Sequence, residues 1–228
     1  MAEQLHNGHR QRMRARFLEE GLDGFTDHEI LEMLLYYSVP RVNTNEIAHR
    51  LIDRFHTLAG VLNADREALL EVQGITENSA VLLKMMPPVA RRYGVSAQGT
   101  PTLGTFDEVC TYFRSLYIGE QAEKLRLACL NDRLKLLSCG VVGEGSPSGV
   151  PVHMRRLVEY ALRQKCELVI LAHNHPNGVA VPSNDDIVAT KQIYHAFKTV
   201  GIQLVDHVIV AGDHAISLKE YGAFSLLE

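Results

Sequence analysis

One run constrains this chain more than any other: Glu167-Leu168-Val169-Ile170-Leu171-Ala172. Five apolar residues in unbroken succession do not alternate between core and solvent. The run therefore reads as a short strand buried in the interior of a sheet. The chain leaves it through His173-Asn174-His175-Pro176. Residues i and i+2 of a strand share a face, so His173 and His175 present two imidazoles together from a rigid strand end.

Around this run the second half of the chain reads as α/β or α+β. Helical patterns cover 106–116, 155–163 and 185–200. Strand patterns cover 125–130 and 134–142, joined tightly through Asn131-Asp132-Arg133, then 202–205, 207–210 and 215–218. The first half is helical. Thr26 with Glu29 forms a capping-box signature for a helix over about 27–37, and Pro40 follows as a stop. A second helix is expected over 44–55, with Ile47, Leu51, Ile52 and Phe55 on one side. A third starts after Asn63 as its cap. The last starts after Gly74-Ile75-Thr76, and Pro87-Pro88 should kink or break it. The small-residue, Gly- and Pro-containing stretch 94–102 is the expected linker. The expected organisation is a helical domain over 1–93 and an α/β domain over 103–228.

Composition excludes several function classes. The chain has 228 residues, 46% hydrophobic and 22% charged, which is too apolar for disorder. No run of about 18 uncharged apolar residues predicts a membrane span. No apolar segment follows the basic residues near the start, so no secretory signal is expected. Cys110, Cys129, Cys139 and Cys166 lack any CxxC spacing and are expected to be free thiols of a cytoplasmic protein. A net charge of -4 argues against a uniformly basic surface.

The chemistry concentrates after the buried strand. Asp186 stands eleven residues beyond His175, at the start of the helix expected from 185, across a Pro-, Gly- and Ser-containing loop. Two imidazoles and a carboxylate make three metal ligands and leave a fourth zinc position open for water, as catalytic rather than structural sites do. Asp186 could instead be a cap, and Ser183 the N-cap itself.

The spacing His173-x-His175-x7-Ser183-x2-Asp186 resembles the motif of the JAMM metalloproteases, and the string from His173 to Thr190 resembles their RadC branch. So does Leu204-Val205-Asp206-His207-Val208-Ile209-Val210. The helical first half is also similar to that of RadC proteins, so the resemblance spans roughly residues 8–226. It implies a JAB/MPN-like, cytidine-deaminase-like α/β domain after a small helical bundle. It further implies Zn2+ on His173, His175 and Asp186, Glu123 as general base, and Ser183 as donor to a tetrahedral oxyanion. Glu120 and Glu144 are rivals for the base. Asn131 stands where many relatives carry Asp, and the segment 140–151 is richer in Gly and Pro than the family pattern.

Asp206-His207 reads as a carboxylate orienting an imidazole, or as a structural pair. His153, His195 and His214 show no ligand spacing. Residues 70–80 are similar to a helix-hairpin-helix, with Thr76 where a second Gly is preferred. Arg10, Arg12, Arg14 and Arg16 form a basic strip, Arg91-Arg92 add two charges, and acidic residues follow from Glu19 to Glu32. A small bundle used for protein contacts fits the same residues. Two functions follow. One is a zinc hydrolase of a peptide or isopeptide bond with a protein or peptide substrate. The alternative is a DNA-associated repair or recombination factor with a structural or vestigial metal site.

Overall fold

A computed structural model describes residues 2–40, 42–145, 153–176, 178–222 and 224. The chain forms two compact units, Met1–Val89 and Ala90–Glu228. The first is helical and the second mixes sheet and helix, the α+β arrangement expected from the patterns above.

The first unit holds α1 (Ala2–Glu20), α2 (Asp27–Leu35), α3 (Thr44–Phe55), α4 (Leu58–Asn63), α5 (Arg66–Leu70) and the start of α6 (Glu77–Ala97). The capping box at α2 forms as expected, with the Thr26 N–H donating to Glu29 at 2.9 Å. Apolar spacing drives the packing. Leu31 and Leu35 of α2, Ile47 and Leu51 of α3, Val61 of α4, Leu69 of α5 and Leu83 of α6 close one buried core. Asn63 does not cap a helix. It ends α4, which the sequence pattern missed, and Asp65 takes the N-cap position of α5. The start of α4 is set by Thr57, whose hydroxyl accepts the Gly60 N–H. The break expected at Pro87-Pro88 is absent: α6 runs through both and on to Ala97, across the first residues of the stretch read as linker. Adjacent prolines remove adjacent helix bonds, so the defect stays within one turn.

The second unit holds α7 (Phe106–Tyr117), β1 (Glu123–Leu130), β2 (Leu136–Gly145), α8 (Met154–Gln164), β3 (Leu168–Asn174), α9 (Asn184–Thr199), β4 (Gln203–Ala211) and β5 (His214–Ser217). The sheet order is β2-β1-β3-β4-β5. β3 lies at its centre, antiparallel to β1 and parallel to β4. Leu127, Val169 and Leu171 point to a face covered by Leu157 of α8 and by Ile193 and Phe197 of α9. Ala128, Ile170 and Ala172 point to the opposite face, covered by Val109, Phe113 and Leu116 of α7. The buried run thus separates two cores. The strands expected over 202–205 and 207–210 are one strand, β4. Its register against β3 slips between Val169 and Ile170, where Leu204 and Asp206 become successive partners. The bulge leaves Val205 as the extra residue, and Asp206 stays paired within the strand, where its carboxylate accepts the backbone N–H groups of His207 and Lys219. Of the segment 140–151, residues 140–145 belong to β2, and 146–151 lie outside the described residues. Asn131 closes the β1–β2 turn, its Oδ1 accepting from the N–H groups of Arg133 and Lys135. An aspartate at that position would offer the same oxygen.

All four cysteines are free thiols. Among the described residues, no helix is long and apolar enough to cross a membrane.

Phe197 is fully buried and ties α9 to the sheet. Replacing it with Ala should cost about 3–5 kcal/mol through lost transfer energy and a residual cavity. Urea unfolding checks this; an unchanged midpoint would mean α9 is held by other contacts.

Candidate metal centre

The candidate residues come from three elements. β3 supplies His173 and, one residue past its end, His175. β1 lies beside β3 with Leu125 opposite His173, which puts Glu123, two residues earlier, on the same face. The first turn of α9 supplies Asp186.

One ligand-type atom from each of Glu123, His173, His175 and Asp186 lies within 4.8 Å of every other. His173 Nε2 is 2.9 Å from His175 Nε2 and 3.2 Å from Asp186 Oδ1. His175 Nε2 is 3.8 Å from Asp186 Oδ2. Two ligand atoms bound tetrahedrally to one zinc stand about 3.3 Å apart, given bonds of about 2.0–2.1 Å. The separations of 2.9 and 3.2 Å lie near that spacing, and the 3.8 Å contact brings the other Asp186 oxygen to the same place, so the donor set is one that could hold a metal ion. His173 is 2% exposed, and the side chains of His175 and Asp186 are partly buried.

The ring nitrogens facing away from the centre are both occupied. His175 Nδ1 lies 2.9 Å from the Val179 carbonyl, an acceptor, so this nitrogen carries the proton and Nε2 faces the centre as a lone pair. His173 Nδ1 lies 2.8 Å from His207 Nε2, in the interior.

Asp186 is at once the third residue of α9 and part of its cap. The Ser183 hydroxyl accepts the Asp186 N–H, and the Ser183 N–H and hydroxyl both donate to Asp186 Oδ2, at 2.8 and 2.7 Å. Burial pushes the Asp186 pKa up. The hydrogen bond and charge that His173 supplies when its ring is protonated, with the donors of Ser183, outweigh this and hold it well below the usual carboxylate range. Glu123 goes the other way. Its burial raises the pKa, aided by the charge of Asp186 and opposed by the two imidazoles. The rivals for its place stand elsewhere. Glu120 pairs with Arg91 and Lys124 at 2.6 Å each. Glu144 is largely exposed and 3.5 Å from Lys124.

Two contributors, Asn174 and Thr190, escaped the sequence reading, and a third, His207, was read only with its neighbour Asp206. Asn174, between the two histidines, points away from them. Its Oδ1 accepts the Lys124 N–H at 2.8 Å and its amide donates to the Ala122 carbonyl at 3.0 Å. It therefore grips the backbone on both sides of Glu123. His207 and Thr190 form the other contribution, with His207 Nδ1 2.6 Å from the Thr190 hydroxyl. The Asp206 carboxylate does not orient the His207 ring; it holds backbone N–H groups instead. His153, His195 and His214 are exposed.

In the helical unit, Gly74 takes φ +97°, and a Cβ there would meet Ile47 at 2.7 Å, so glycine is required. Thr76 caps α6, accepting the Ser79 N–H. Arg10 donates to the Val39 and Val42 carbonyls, and Arg16 pairs with Glu29, so both guanidiniums are engaged within their own unit.

Asn174→Ala should lower stability by about 1 kcal/mol, because it leaves a partly buried carbonyl and N–H without their side-chain partner. Denaturant unfolding measures it, and wild-type stability would mean that the grip on β1 contributes nothing.

With this geometry established, comparison with protein families matches the chain to the RadC-like JAB domain over residues 103–223, more than half of its length.

Proposed function

The chain belongs to the RadC family, and from that membership and its four-residue cluster we propose that the protein is a zinc-dependent metallohydrolase that cleaves a peptide or isopeptide bond. The observation that carries this reading is the convergence of two imidazole nitrogens, 2.9 Å apart, on the Asp186 carboxylate, whose Oδ1 is 3.2 Å from His173 and whose Oδ2 is 3.8 Å from His175. Acceptor atoms crowded in this way repel one another unless a cation or a proton lies between them.

In this reading His173, His175 and Asp186 hold the metal. Bound zinc would supply a Lewis acid that polarises the scissile carbonyl and acidifies water. Glu123 takes the proton of the attacking water and returns it to the leaving amine. Its raised pKa makes it a stronger proton acceptor than an exposed carboxylate. Ser183 would donate to the oxyanion. Its single hydroxyl proton is directed to Asp186 Oδ2, so this role requires the hydroxyl to turn during the reaction. Val179 and Val181, largely exposed on the loop after His175, offer an apolar surface beside the centre for substrate side chains.

Metal content and turnover separate these roles. Purified wild-type protein should carry one zinc, and His175→Ala should lose it. Asp186→Asn should weaken binding by removing a charged ligand. Glu123→Gln should keep its zinc and fold while cleavage of peptide- and isopeptide-linked reporter substrates falls by about 10²–10⁴-fold. Equal metal in wild type and His175→Ala would remove the ligand assignment. Loss of zinc in Glu123→Gln would make Glu123 a ligand and leave the base unassigned.

A further inference from the structure

We propose that Thr190 and His207 are positioning residues that fix which nitrogen of His173 carries its proton, and so keep its Nε2 lone pair aimed at the metal centre. The inference rests on the metal-centre reading above. It concerns residues that lie behind the cluster.

The argument follows hydrogens one at a time. Thr190, 1% exposed on α9, lies 2.6 Å from the Asp186 backbone carbonyl. A carbonyl only accepts, so the one hydroxyl proton of Thr190 is committed there. The same oxygen is 2.6 Å from His207 Nδ1. With its proton used, Thr190 can only accept at this contact, so His207 Nδ1 carries a hydrogen. His207 is 2% exposed, and its own neighbour Asp206 is occupied with backbone N–H groups. A buried imidazole whose ring contacts are a hydroxyl and another imidazole stays neutral, because burying the charged form costs too much. A neutral ring has one N–H. His207 Nε2 is therefore an acceptor, and His173 Nδ1, 2.8 Å away, donates to it. That leaves His173 Nε2 unprotonated, facing His175 Nε2 at 2.9 Å and Asp186 Oδ1 at 3.2 Å.

The chain of contacts closes on itself. It starts at the Asp186 backbone carbonyl, passes through Thr190, His207 and His173, and returns to the Asp186 side chain. Metal-binding histidines usually hand their second N–H to a carboxylate or carbonyl, groups that can only accept. Here the recipient is another histidine, which can accept or donate. The hydroxyl of Thr190 decides which, two hydrogen bonds from the metal position. Without it, His207 gains nothing by protonating Nδ1. The alternative form, protonated at Nε2, would face His173 Nδ1 and drive the His173 proton to Nε2, into the centre.

The test uses full-length protein and zinc alone, with two readouts. Long-range proton–nitrogen NMR of the imidazoles in metal-free protein reports the His173 tautomer. Competition with a chromophoric chelator reports the zinc Kd. Thr190→Val keeps the shape and removes the oxygen. It should move the His173 proton toward Nε2 and weaken zinc binding by about 10–100-fold, the usual worth of such outer contacts. Thr190→Ser keeps the oxygen and should hold both wild-type values, which a merely packing role for Thr190 would not give. If valine prevents folding, Thr190→Ala removes the oxygen without filling the space and should show the same two changes. A wild-type tautomer in the folded Val or Ala variant overturns the proposal, as does a changed tautomer with unchanged zinc affinity. If wild type binds no zinc, the metal-centre reading fails by itself. The tautomer in metal-free protein then decides the proton chain alone, a shift supporting it and no shift overturning it.

Discussion

The burial of β3 on both faces is the constraint from which the candidate site follows. A strand with α7 on one side and α8 and α9 on the other has no solvent-facing surface along its length. Its backbone hydrogen bonds go to β1 and β4, and its side chains are fixed by packing. Polar chemistry can then appear only at its end, where the layers stop covering it. His173 is still inside that envelope and His175 has just left it. The same end is anchored from the opposite face: the buried Tyr117 hydroxyl donates to the Ala172 carbonyl at 2.8 Å. Ligands attached to such a strand lose little further entropy when they converge, because folding has already removed it.

Charged groups at a strand end need partners, and each one here is held by a different device. Asn174 fixes the backbone around Glu123 from the far face of the sheet. The Val179 carbonyl fixes the His175 ring by folding the loop back on it. Ser183 fixes Asp186 through the cap of α9. These supports come from short local motifs in two cases and from a neighbouring strand in the third. That distribution lets four residues from three elements meet while each element keeps its own backbone bonding complete.

What the sequence revealed, and what it hid, follows the range of the interactions involved. The ligand spacing was legible because it is written in one stretch, from a strand end through a loop to a helix cap. The capping box at Thr26 and the helix 44–55 were legible for the same reason. β4 was read as two strands because Asp206 interrupts the apolar pattern, and only the pairing of Asp206 with Ile170 of β3, past a bulge at Val205, shows that the strand continues. α4 was missed because six residues carry too little periodicity. Thr190 and Asn174 carried no reading of their own, and His207 was read only with its neighbour Asp206. Their partners lie 17, 34 and 50 or more residues away, and no local pattern encodes such contacts.

The sequence posed Asp186 as either a helix cap or a ligand, and the geometry is compatible with both at once. The N–H and hydroxyl of Ser183 approach Oδ2, while Oδ1 is turned to His173. Donors on Oδ2 withdraw charge from the carboxylate and hold it ionised, which favours the charged form at a site that is partly buried. The helix N-terminus adds a field of the same sign. The cap therefore stabilises the ionised carboxylate that a cation on Oδ1 would require, and it fixes the rotamer that aims Oδ1 inward. The serine that starts the helix thus also orients the carboxylate whose Oδ1 lies 3.2 Å from His173 and whose Oδ2 lies 3.8 Å from His175.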